Sequence, residues 1–70
     1  MVETSKTGTA ALSPAERRIL ELVADGLTNG QIARQLWVTE TTIKFHLSRV
    51  YRKLGVANRT AAAMRLRHES

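Results

Sequence analysis

Between Thr41 and Lys53 the chain concentrates hydroxyls, cations, one imidazole and one aromatic ring: Thr41, Thr42, Lys44, Phe45, His46, Ser48, Arg49, Arg52 and Lys53. His46 and Ser48 are the residue types a nucleophile and its base would need. On a helix, however, two positions apart means side chains about 160° apart. No carboxylate stands nearby to orient the imidazole, so enzyme activity is not expected. The chain has no cysteine and two scattered histidines, which excludes disulfides and thiolate or imidazole metal cages, and no cofactor is expected. What remains is hydrogen bonding and positive charge.

That charge is unevenly distributed. Residues 1–43 carry four basic groups (Lys6, Arg17, Arg18, Arg34) against five acidic ones (Glu3, Glu16, Glu21, Asp25, Glu40). Residues 44–70 carry seven basic groups against Glu69 alone. A basic C-terminal half suggests a polyanionic partner, although a solvated, solubilising face fits charge alone as well.

The elements that must position these side chains are legible from caps and periodicity. "LSPAE" places Ser13 as a helix cap, Pro14 at the first helical position and Glu16 as the return arm of a capping box. Ile19, Leu20, Leu22 and Val23 form its inward stripe, and Asp25-Gly26 ends it. Thr28 and Gln31 make a second capping box for a short helix burying Ile32, Ala33 and Leu36. Trp37-Val38 is a connector in which the tryptophan is expected to lid the core. Thr39 caps a third helix with Glu40 in its first turn, stopped by Gly55. Asn58 caps an alanine-rich fourth. The expectation is an all-α, compact four-helix helix-turn-helix domain over 12–68, with helices at about 14–25, 29–36, 40–54 and 59–68. Residues 1–11 are expected to be a flexible tail or linker remnant.

With Ile43 set at zero and about 100° per residue, Leu47, Val50 and Leu54 fall within about 40° of it. Thr41, Phe45, Ser48 and Arg52 lie opposite, Lys44 on one shoulder, and Thr42, His46, Arg49 and Lys53 on the other. Such a helix fits the major groove of duplex DNA, its outer face meeting base edges while flanking cations and hydroxyls hold phosphates. The short preceding helix would brace it, and Thr28 with the first-turn N–H groups can hold a phosphate. Phe45 gains nothing from pointing into water; a thymine methyl or a partner domain would give it a reason. Two further readings stay open: a protein-interaction helical module docking on polymerase or a sensor domain, and a domain like region 4 of sigma factors.

The run "LSPAERRILELVADGLTNGQIARQLWVTETTIKFHLSRVYRKLGVANRTAAA" resembles the DNA-binding domain of the LuxR family of bacterial transcription regulators (NarL/FixJ-like, GerE-type). The resemblance spans Leu12 to about Leu66, with "GLTN", "QIA", "TIKFHL", "KLGV" and "NR" in family order. It implies a dimeric, cytoplasmic, nucleoid-associated regulator that binds an inverted repeat of double-stranded DNA. Lys44, Phe45, Ser48 and Thr41 would read bases. Thr42, His46, Arg49, Lys53, Arg52, Thr28 and Asn29 would face phosphates. Ala61, Ala62, Met64 and Arg65 would meet a twofold mate. Gly30 departs from the basic or polar residue usual in the family and removes one phosphate contact. RNA polymerase is implied as a further partner, and the chain is expected to be either an output domain that works under an N-terminal sensor or receiver domain or a stand-alone regulator of the same type. No run approaches the roughly 20 apolar residues of a membrane span, and "MVETSKTGTAA" lacks the order of a secretory signal, so a soluble intracellular chain is expected.

Overall fold

A computed structural model describes residues 8–69 of the chain. A 3-10 turn, Gly8–Ala11, leads into α1 (Pro14–Ala24), α2 (Asn29–Leu36), α3 (Glu40–Leu54) and α4 (Arg59–Glu69), with no strand among the described residues. The all-α expectation holds. Helix α1 stops at Ala24, with Asp25 as its cap, and α4 runs one residue beyond the expected end.

Each helix begins where its side chains can satisfy the orphan N–H groups of a first turn. At α1, Ser13 Oγ accepts from the Glu16 N–H at 3.1 Å and Glu16 Oε1 accepts from the Ser13 N–H at 2.9 Å. Thr28 and Gln31 repeat this reciprocal box at α2. At α3, Thr39 Oγ1 accepts from the Thr42 N–H, and Asn58 Oδ1 accepts from Ala61 N–H at α4.

The first three helices also share one way of stopping. In each, an N–H reaches back five residues to a carbonyl: Leu27 to Leu22, Val38 to Ala33, Val56 to Tyr51. This closure needs a residue in the left-handed region, usually glycine, which has no Cβ to clash. Gly26 (φ 94°) and Gly55 (φ 69°) supply it for α1 and α3. For α2 the residue is Trp37, at φ 62°.

That backbone corrects the expectation for Trp37. It is 92% exposed and lids nothing, because the left-handed turn at the end of α2 carries its side chain away from the core. The segment expected as a tail is corrected too: Gly8–Ala11 is wound into the 3-10 turn, where Thr9 is buried. Thr9 O accepts from the Leu12 N–H, and Leu12 packs on the core. Residues 1–7 lie outside the described residues.

The core has two adjoining clusters. Ile19, Leu22, Val23, Ile32, Ala33, Ile43 and Leu47 hold α1, α2 and the first half of α3 together. Leu20, Val50, Leu54, Ala62 and Leu66 fasten α4 to α1 and the second half of α3. Tyr51 touches both. All four residues of the α3 stripe are buried, so one side of this helix is wholly committed to the fold. Leu36, expected inside, is half-buried.

Candidate nucleic-acid interface

The commitment of one side of α3 leaves the opposite side in solvent. Thr41, Lys44, Phe45, Ser48 and Arg52 are all exposed, as the helical wheel requires. The side chains of Thr41, Lys44, Ser48 and Arg52 make no hydrogen bond or ion pair with another described residue. This face is a row of solvent-exposed donors and acceptors on a helix whose other side is fixed in the core. Phe45 is 60% exposed, and its ring has two neighbours: the His46 ring, edge-on with centroids 5.9 Å apart, and the Arg49 guanidinium, 5.8 Å from the Phe45 centroid.

The flank is different. The Thr42 hydroxyl lies 3.1 Å from that of Thr39 and belongs to the α3 cap. His46 is half-buried, its Nδ1 enclosed without a hydrogen-bond partner. It lines an apolar slot of about 250 Å³ with Ala15, Ile19, Leu36, Val38 and Thr42. Arg49 Nε donates to Glu16 Oε2 at 3.3 Å, and Lys53 Nζ donates to Glu16 Oε1 at 2.7 Å.

Glu16 is thus the hub of the flank, a role that capping logic alone misses. Its carboxylate is 2% exposed, closes the α1 cap and receives both cations. Burial pushes its pKa up, but the Lys53 hydrogen bond, the Ser13 N–H, the Lys53 charge and the Arg49 hydrogen bond outweigh it. The net result is a pKa lowered from 4.5 to about 2. Glu16 lies 33 and 37 residues from its partners, so no local spacing announces the contact.

Helix α2 enters from one side with its cap already in use. Thr28 Oγ1 accepts from Gln31 N–H, leaving the hydroxyl proton for another acceptor. Asn29 Oδ1 accepts from Arg59 Nη1 at 2.6 Å, so only its amide NH2 is available to a phosphate. Arg59, which the sequence reading did not single out, also donates to the Leu27 carbonyl and ties α4 to the α1–α2 loop. At Gly30 a Cβ would stand 3.0 Å from Glu40 Oε2. Glycine here admits an acid beside the first turn of α2, which opposes phosphate at that spot.

On α4 the residues assigned to a twofold contact divide. Ala62 is fully buried in the second core cluster, which removes it from any outer face. Arg65 is half-buried and donates from Nη1 to the Leu54 carbonyl at 2.9 Å, closing the C-terminal end of α3. Ala61 is half-buried and Met64 is 44% exposed.

A brace, a tight turn and a polar-faced second helix make a helix-turn-helix arrangement. The family model described as bacterial regulatory proteins, luxR family, matches residues 10–66. The chain belongs to the LuxR family. As such it carries that family's DNA-binding helix-turn-helix domain. Among other LuxR-type proteins it is 39% identical over 66 residues to the nitrate/nitrite response regulator protein NarL of Escherichia coli K12, covering 94% of this chain and 31% of NarL. It is 44% identical over 55 residues to the DNA-binding transcriptional activator DevR/DosR of Mycobacterium tuberculosis, covering 79% of this chain and 25% of that protein. The crystal structure of the response regulator ChrA, from a heme-sensing two-component system, matches with a TM-score of 0.82 at 42% identity. That match covers 96% of this chain and 31% of ChrA. The LuxR-type chain therefore spans a third or less of each of these relatives.

Proposed function

We propose that the chain is the output domain of a bacterial transcription regulator and recognises a specific duplex DNA sequence through α3 laid in the major groove. The observation that carries this reading is the outer face of α3, where the side chains of Thr41, Lys44, Ser48 and Arg52 are solvent-facing and without partners among the described residues. A helix with its side chains is about 10–12 Å across, close to the width of the B-DNA major groove. Lys44, Phe45, Ser48 and Thr41 read base edges. Arg49, Arg52 and Lys53 face phosphates, with Thr28, Thr42 and the available groups of Asn29 and His46 as polar support. The domain binds as a homodimer on an inverted repeat through the exposed part of α4 around Met64. It works in the cytoplasm on the nucleoid, under a sensor or receiver domain on the same polypeptide, with RNA polymerase as a further partner.

Selection of bound duplexes from a random pool at two salt concentrations tests this. An inverted repeat is expected in the recovered sequences. If the three cations Arg49, Arg52 and Lys53 of each monomer meet phosphate, the logarithmic salt slope is about −2.7 for one subunit and about −5.4 for two. A slope near zero would overturn the reading.

The 92% exposure of Trp37 favours a second reading, docking of a protein partner on the turn between α2 and α3. Loss of a polymerase or sensor-domain contact in Trp37→Ala, with duplex affinity intact, would establish it.

A further inference from the structure

Two groups flank the Phe45 ring, and one of them, Arg49, is itself tied to the fold through a buried carboxylate. Exposed aromatic rings on helices usually turn between rotamers in water. Here the Arg49 guanidinium lies 5.8 Å from the Phe45 centroid, four residues along the helix, where side chains are neighbours. The His46 ring meets Phe45 edge-on at 67°, with centroids 5.9 Å apart. Behind Arg49, its Nε donates to the buried Glu16 carboxylate. Behind His46 is the apolar slot formed by α1 and the α2–α3 turn. A path of contacts therefore runs from the core of α1 to a ring on the outer face of α3.

We infer that this clamp is a specificity device: Arg49, moored by Glu16, and His46 fix the Phe45 ring as a detector of the 5-methyl group of thymine. The inference rests on the duplex-DNA reading and adds to it a ligand chemistry and a second role for Arg49. A 5-methyl group is the apolar feature that a T·A pair presents in the major groove, and an aromatic ring desolvates it without needing a hydrogen bond. Pinning the ring beforehand spares the loss of rotamer freedom at binding. Arg49 is then a positioning residue as well as a cation facing phosphate, and a lysine can replace it only in the second capacity. Its ammonium keeps the charge but has no planar fork to hold Glu16 and cover a ring together.

The test uses the full chain and the tightest duplex recovered from the random pool, with its thymines replaced one at a time by deoxyuridine, which lacks the methyl. In the unmodified protein one thymine per half-site is expected to be sensitive, losing about fourfold in affinity, the value of one buried methyl-sized group. Phe45→Ala, an exposed position whose truncation leaves the core intact, is expected to bind thymine and uracil duplexes equally. Arg49→Lys is expected to keep the salt slope while its thymine preference falls below about twofold. A protein that binds duplex with the expected salt slope yet ignores every uracil, or a preference that survives Phe45→Ala, overturns methyl detection and leaves the DNA reading standing. A full fourfold preference in Arg49→Lys overturns the clamp. Failure of the chain to bind any duplex removes both readings together.

Discussion

The outer face of α3 and its flank are made from similar residues, one or two positions apart, yet they stand in opposite conditions. On the outer face the side chains of Lys44, Ser48 and Arg52 are exposed and have no partner among the described residues. On the flank Arg49 and Lys53 are drawn to the Glu16 carboxylate and Thr42 to the α3 cap. The difference comes from α1, which crosses the flank and not the face. A cation with free rotamers adapts to what it meets; a moored one presents a fixed charge at a fixed place. Two neighbouring surfaces of one helix thus differ in stiffness. Changes on the face should alter binding alone, and changes on the flank should alter both binding and stability.

The sharpest way to break this contrast is to loosen the core that holds α3 in place. Leu47→Ala opens a cavity on the buried side of α3 and is expected to cost about 2–5 kcal/mol of stability, read as a fall in the chemical denaturation midpoint. Next in size is acid. Because the pKa of Glu16 is lowered from 4.5 to about 2, its contribution is complete above pH 4.5 and is lost as pH falls toward 2. The loss amounts to roughly 3 kcal/mol at about 1.4 kcal/mol per pH unit. Glu16→Gln should flatten that part of the stability profile; a profile unchanged by the substitution would show that the flank is not moored as described. On the face, Lys44→Ala is expected to cost about 1–3 kcal/mol on the preferred duplex, with thermal stability within about 0.5 kcal/mol of the original protein. Equal losses on every duplex would move Lys44 from the reading face to the phosphate set. The smallest effect concerns the turn that feeds α3. Trp37→Gly relieves the left-handed strain of a side-chain-bearing residue, worth about 1–2 kcal/mol, against about 0.5–1 kcal/mol of added chain entropy. A gain of up to about 1.5 kcal/mol is expected in a melting experiment.

Which parts of this were legible beforehand follows from the range of the forces involved. Ser13 with Glu16, Thr28 with Gln31, and the Ile43–Leu47–Val50–Leu54 stripe are written at helical spacing, because caps and amphipathic faces are local. The outer face of α3 follows from the stripe by geometry. The second duty of Glu16 does not, since the fold alone brings residue 16 to residues 49 and 53. Trp37 was misassigned because large aromatics usually seek the core, whereas here the closure of α2 demanded a left-handed backbone at that position. In α4 the alanines mark no preferred side, so Ala62, which is core, and Ala61, which is half-buried, read alike. The 3-10 turn at Gly8–Ala11 had no period to detect; it exists because Thr9 and Leu12 have somewhere to go once α3 and α4 are in place.

The hydrogen bond from Arg65 to the Leu54 carbonyl makes the last turn of α3 mechanically dependent on α4. Without that bond the Leu54 carbonyl would be one of the orphan acceptors that every helix leaves at its C-terminal end.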